Sequence, residues 1–151
     1  MRIRRGLWIA AAVIAADQGA KALARRLPEA GVTLIRGVIG LRYVENRGIA
    51  FSMMNGAGRW LGIISLAAAA GIMAIAAKKK PRGFEMTALM LMCGGALGNG
   101  IDRLAHGYVT DMIEVLFTRF AIFNIADAAL VIGCGMMIIS LIARPGAWGE
   151  K

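Results

Sequence analysis

Hydrophobic positions in this chain are clumped into long runs. Four runs approach the roughly 17–25 residues that a membrane-spanning helix needs, and they predict transmembrane helices at about 6–24, 59–77, 85–102 and 120–143. The first carries Asp17 and Lys21 near its far end. The second has no charge from Trp60 to Ala77 and stops hard at KKKPR. The third is Gly-rich, with MCGGALGNGID, and the fourth holds Asp127 as its one acidic or basic residue. Residues 27–57 are β-branched and aromatic with interspersed Gly, too polar to span, and predict short strands against the membrane face. Residues 103–119 read as an amphipathic, interfacial link.

Composition agrees with this pattern. The 151 residues are 58% hydrophobic and 18% charged, with mean hydropathy +0.64. Soluble domains average about 45–50% apolar residues. The net charge of +9 would suggest nucleic acid as a partner for a soluble protein. Here the basic residues sit at the ends of apolar runs, beside anionic headgroups, and nucleic acid is not expected. The N-terminus, 78–82 and the C-terminal tail together hold nine of the 18 Lys and Arg. The density of KKKPR favours that side, with both termini, as cytoplasmic. MRIRRGLWIAAAVIAA also has the shape of a signal peptide. Cys93 and Cys134 lie inside apolar runs without ligand partners, which predicts two buried free thiols.

An ionisable residue at bilayer depth costs roughly 2.5–3.5 kcal/mol on insertion scales, so those that persist are paired or functional. Asp17 and Lys21 stand at i, i+4 and share a helix face, the spacing of an ion pair. Asp102, at the end of the third run, is read as bracing the turn that follows. Arg103 has three candidate partners: a carboxylate, a phosphate headgroup or a backbone carbonyl. Asn99 is equally a helix-packing residue and a donor to substrate backbone. Asp111 and Asp127 have no cation close in sequence; Arg119 lies eight residues from each. Folding the 103–119 link over the mouth of the last helix would bring them together, with Asn124 on the face of Asp127. Two such carboxylates share a proton, one acting as base toward water and the other as acid toward a carbonyl. His106 is the only histidine, which excludes HExxH, and there is no GxSxG or P-loop.

Four spaced blocks resemble the lipoprotein signal peptidase (signal peptidase II) family: DQGAK (17–21), ENRGIAFSM (45–53), GGALGNGIDRLAHGYVTDMI (94–113) and FNIADAAL (123–130). They cover nearly the whole chain in the family's order. The resemblance implies a bacterial inner-membrane aspartyl endopeptidase that cuts prolipoproteins before a diacylglyceryl-modified cysteine, with no metal or other cofactor. It implies one domain with four transmembrane helices, a periplasmic β-cradle and a short periplasmic interfacial helix. Asp111 and Asp127 match the catalytic pair. Asn46, Gly48, Asn99, Arg103, Asn124 and Ala126 match positions that line the substrate site, with Asp17, Lys21 and Asp102 in support. Prolipoproteins and membrane lipids are the implied partners. Ile49, Met112 and Ala128 depart from frequent family residues without removing a proposed catalytic group. The match at DQGAK places 17–21 in the mature protein, as part of a retained first helix.

Other classes fit less of the pattern. A small proton-coupled transporter or channel subunit explains Asp17 and Asp127 but needs no second acid in an interfacial loop. A GxGD-type protease is excluded by spacing, because Gly98-Asn99-Gly100-Ile101-Asp102 misses by one residue. A purely structural lipid-binding bundle leaves Asp111 and Asp127 unexplained.

Overall fold

The computed structural model describes residues 3–48, 58–81, 83–144, 146 and 148. Helix α1 spans Ile3–Ala24, α2 Gly58–Lys79, α3 Phe84–His106 and α4 Ile125–Ala143. Strands β1 (Val32–Ile35), β2 (Ile39–Asn46) and β3 (Val109–Val115) form an antiparallel sheet in the order β1-β2-β3. The strands expected in 27–57 are β1 and β2. The remainder of that segment, 49–57, including Ile49 and the end of the ENRGIAFSM block, lies outside the described residues.

Helices α1, α2 and α4 are long and apolar enough to cross a membrane. In a bilayer core only a helix or closed barrel satisfies every backbone group. Their outward faces carry side chains such as Trp8, Trp60, Val131 and Ile142, each more than 70% exposed. Such contiguous apolar exposure is what lipid, not water, would cover. Helix α3 is different because it is the hub: it packs against α1, α2 and α4. Its buried residues include Met86, Leu89, Met90, Cys93 and Ala96. Glycines let its neighbours come close. A Cβ on Gly95 would lie 2.5 Å from the Ala126 carbonyl oxygen, and one on Gly98 would lie 2.8 Å from Asp17 Oδ2. Gly95→Val should therefore push α4 off α3 and cost about 1–3 kcal/mol, the usual penalty of overpacking. A thermal unfolding midpoint in detergent measures it.

Two of the predicted boundaries move. Helix α3 continues to His106, where Gly107 (φ 80°) closes it and donates its N–H to the Arg103 carbonyl. Arg103 thus lies inside the last turn of the helix and not after it, and Asp102 about a turn before its end. Helix α4 starts at Ile125, five residues later than the apolar run, because Asn124 is its N-cap. The Asn124 side chain accepts from the Asp127 N–H, and the Asp127 side chain accepts from the Asn124 N–H. This reciprocal cap stops the helix there. Phe123 is held instead as a bridge to Ile113.

The link 103–119 also differs from expectation. It holds strand β3 and no interfacial helix among its described residues. VTDMIEV is rich in β-branched residues, and β2 supplies the ladder partners that an isolated interfacial helix would not need. Cys134 is another correction: Cys93 is buried, but Cys134 faces outward on α4.

At the opposite end from the sheet, Glu85 accepts from Ser140 Oγ (3.0 Å) and pairs with Arg144 (3.0 Å). Trp148 donates to Ser140 Oγ, tying the tail to the start of α3.

Candidate active site

Where α1, α3 and α4 meet β3, the bundle buries Asp17, Lys21, Asn99, Asp102, Thr110, Asp111 and Asn124, all at 5% exposure or less. Burying that many polar groups is tolerable only if each is satisfied. Among the described residues, no buried side-chain nitrogen or oxygen lacks a partner.

The foundation is ionic. Lys21 Nζ lies 2.7 Å from Asp17 Oδ2 and 3.3 Å from Asp102 Oδ2, so the helical i, i+4 pair predicted on α1 is joined by a third charge from α3. Asp17 reaches further. Its Oδ1 accepts from the Ala126 N–H at 2.9 Å, satisfying a free donor in the first turn of α4. A carboxylate there is also favoured by the helix dipole. Ala126 enters the site through this backbone group and through its small side chain, which is fully buried. Asp102 Oδ2 accepts from the Thr110 N–H at 2.9 Å, which anchors β3 next to Asp111. The bracing role read for Asp102 thus acts on the strand after the turn.

Above this foundation stand the two remaining carboxylates. Asp111 sits on β3 opposite Val44, and Asp127 in the first turn of α4. Asn124 touches both: its Nδ2 donates to Asp111 Oδ1 at 2.7 Å and its main-chain N–H to Asp127 Oδ2 at 3.2 Å. Each carboxylate also has a carboxamide donor of its own. Asn46 Nδ2 donates to Asp111 Oδ2 at 3.0 Å, and Asn99 Nδ2 donates to Asp127 Oδ1 at 2.7 Å. Asn99 Oδ1 accepts from Lys21 Nζ (3.1 Å) and Asn124 Nδ2 (3.1 Å). Its amide nitrogen is thus engaged with Asp127.

Gly48 donates its N–H to Asn46 Oδ1 at 3.1 Å, fixing that carboxamide from behind. Arg103 Nη2 reaches the Gly48 carbonyl at 3.5 Å, a backbone carbonyl being one of its three candidate partners. All eleven residues singled out from the sequence fall in or beside this one network. Three participants were not singled out. Gln18 Nε2 donates to the Gly98 carbonyl (3.1 Å) and approaches Asp17 and Asp102. Arg25 lies 3.8 Å from Asp102 Oδ1 and donates to Thr110 Oγ1. The Thr110 carbonyl accepts from Asn124 Nδ2. Position alone offered a signal for two of them, since Arg25 is one turn beyond Lys21 and Thr110 adjoins Asp111.

Electrostatics separate Asp111 from an ordinary surface acid. Burial pushes its carboxyl up from 3.8 to about 6; the Asp127 carboxylate adds to the rise, while Asn46, Asn124 and Lys21 oppose it. A carboxyl with a raised folded-state value stabilises the fold fully below its unfolded value, and that contribution is lost as pH climbs through the folded value. Wild-type stability in detergent should therefore fall by about 2–3 kcal/mol between roughly pH 4 and pH 7. Asp111→Asn should lack that slope when midpoints are compared across the same range.

Among the described residues no group of three or more His, Cys, Asp or Glu side chains is arranged to hold a metal ion. What the site presents is two carboxylates held by asparagines beside a small sheet.

Lipid-length apolar helices around a buried polar network, capped by a sheet, define a multi-pass membrane protein with its site at one end of the bundle. The family model described as signal peptidase (SPase) II matches residues 9–143. The chain belongs to the signal peptidase II family. A lipoprotein signal peptidase of Shewanella loihica is 36% identical over 156 residues, covering 97% of this chain and 91% of that protein. One from Klebsiella aerogenes is 36% identical over 143 residues, covering 89% and 87%. One from Parasynechococcus marenigrum is 36% identical over 138 residues, covering 89% and 87%. A bacterial membrane enzyme solved by the in meso method at 2.3 Å resolution superposes with TM-score 0.88 at 29% identity, covering 100% of this chain and 98% of that one. A second such structure, at 1.9 Å, gives TM-score 0.83 at 29% identity, covering 93% and 94%.

Proposed function

We propose that this protein is a membrane aspartyl endopeptidase that removes the signal peptide from prolipoproteins, cutting before the diacylglyceryl-modified cysteine. Family membership supports the substrate class. The observation that carries the mechanism is Asn124, which contacts Asp111 through its side chain and Asp127 through its backbone. Carboxylates placed that close cannot both ionise at little cost, so one proton is shared between them.

In the reaction, the ionised member of the pair removes a proton from water as the water oxygen attacks the scissile carbonyl. The protonated member donates its proton to the carbonyl oxygen, giving a neutral tetrahedral diol. Collapse of the diol breaks the C–N bond: the proton taken from water passes to the leaving amine, and a diol hydroxyl returns its proton to the other carboxylate as the carbonyl re-forms, restoring one shared proton. Asn46, Asn99 and Asn124 keep the two carboxylates in register throughout; Lys21, Asp17 and Asp102 hold the elements that carry them. Gly48, with Arg103 on its carbonyl, borders the pair where extended substrate backbone would lie.

The proposed topology has four spans, with α3 as the fourth, shielded by the other three. Its 23 residues rise about 34 Å, enough for a hydrocarbon core of about 30 Å. Nine Lys and Arg in the N-terminus, 78–82 and the tail share their end of the chain with only Glu85 and Glu150. That imbalance supports a cytoplasmic placement of both termini in the inner membrane, with the site at the periplasmic face.

The test is cleavage of a diacylglyceryl-modified precursor peptide by purified protein in detergent. Cutting is expected to survive metal chelation; loss of cutting in chelator would overturn the metal-free mechanism. A transporter reading is disfavoured at Asp17 by its ion pair with Lys21.

A further inference from the structure

The face of β2 turned away from the carboxylates carries a second cluster that the chemistry above does not use. Tyr43, Glu45 and Arg47 follow one another at alternate positions, opposite in side to Val44 and Asn46. The ladder pairs Val44 with Asp111, Glu45 with Thr110 and Asn46 with Val109. Arg47 and Tyr108 are the residues next to that last pair in the two chain segments. There the Arg47 guanidinium lies over the Tyr108 ring, 5.7 Å from its centre, and pairs with Glu45 at 2.7 Å. The Tyr43 hydroxyl donates to Glu45 (3.2 Å) and lies 3.3 Å from the Tyr108 hydroxyl. The His106 ring stacks at a tilt on Tyr108 (5.6 Å), and Arg25 reaches His106 Nδ1 at 3.5 Å.

This cluster closes the end of the ladder immediately beside Asn46. Strand ends fray because their last rungs have neighbours on one side only. Asn46 has to hold a 3.0 Å bond to Asp111 from the final residue of β2. We infer that Arg47, clamped between Glu45 and the Tyr108 ring, is a positioning residue that locks the last rung of β2–β3 and so aims Asn46 at Asp111. The inference rests on the proposal that Asp111 takes part in hydrolysis. Arg47 is an exposed residue, and an exposed ion pair contributes little to global stability. Its effect is therefore local and is read in the reaction.

Asp111 meets charge from every element around it: Asp127 from α4, Lys21 from α1 and Arg103 from α3, while Asn46 is its neutral donor from β2. The Asn46 bond holds Asp111 down. Weakening that bond must therefore move the loss of the shared proton to higher pH.

The experiment uses the full-length protein in detergent with a diacylglyceryl-modified precursor peptide, following kcat and KM across pH for wild type, Arg47→Ala, Asn46→Ala, the double variant and Arg47→Lys. Arg47→Ala should lower kcat about three- to tenfold with KM within about twofold, since only the arrangement of the reacting groups changes. Its alkaline limb should move up in pH, as should that of Asn46→Ala. The double variant should be no slower than Asn46→Ala alone, and Arg47→Lys, which keeps a cation over the ring, should restore the limb. The inference is overturned if the Arg47→Ala limb stays at the wild-type position, or if the two rate losses multiply. Failure of the underlying dyad shows separately, as an Asp111→Asn variant that cuts at the wild-type rate.

Discussion

Asp111→Asn and Asp127→Asn should each slow cleavage of a lipidated precursor by about 10³-fold or more, with the peptide still bound. General acid–base groups typically contribute about 10²–10⁴ each, and here one pair supplies both the base for water and the acid for the carbonyl. Neither substitution removes a side chain of different size, so the packing around Asn124 is preserved. An amide at position 127 can still accept one of the two bonds, from the Asn124 N–H or from Asn99. What it cannot do is take a proton from water. The two carboxylates form one unit, so the double variant should be hardly slower than either single one. Initial rates on a common peptide, measured for all four proteins, check both points. Multiplying losses would indicate that the two residues act in separate steps.

Lys21→Met should be the most damaging substitution for the fold. The ammonium is 1% exposed and sits between two carboxylates that are fully buried. Methionine fills a similar volume but leaves Asp17 and Asp102 facing each other across an apolar side chain. Breaking a buried charge network by removing one partner costs about 3–5 kcal/mol. Arg25, at 3.8 Å from Asp102 and 35% exposed, offsets only part of that. Asp17 would also lose its grip on the Ala126 N–H, loosening α4 at the very turn that carries Asp127. The expected outcome is a lowered unfolding midpoint together with lost activity. An Asp17→Asn/Lys21→Met/Asp102→Asn protein, with the network neutralised as a whole, should recover much of the midpoint without recovering full activity.

These two residues also show what local sequence could reveal. Lys21 and Asp17 are one helical turn apart, so their pairing follows from helix geometry. Asp127 was conspicuous because a charge interrupts an apolar run. Asp102 joining Lys21 was not readable in the same way: it depends on how α1 crosses α3, and that crossing depends on glycines such as Gly98 meeting Asp17. The start of α4 was legible in principle, since Asn124 and Asp127 have capping-box spacing, but the apolar run through Phe120 to Phe123 masked it. Segment 109–115 fits either an interfacial helix or a strand on local pattern alone. Its pairing with β2, some 65 residues earlier, decided the matter. Gln18 and Thr110, the latter despite adjoining Asp111, escaped notice for a different reason. A Gln on an Ala-rich helix and a Thr in a β-branched run carry no charge to mark them.

The central claim concerns which bond is broken and what breaks it, and mass spectrometry of a single digest addresses both. Purified protein in detergent and chelator is incubated with a precursor peptide bearing a diacylglyceryl cysteine, alongside the unmodified peptide. The account predicts a product whose new N-terminus is the lipidated cysteine, little cleavage of the unmodified peptide, and no product with Asp127→Asn. The same product from Asp127→Asn at the wild-type rate, or cleavage at another bond, would contradict it.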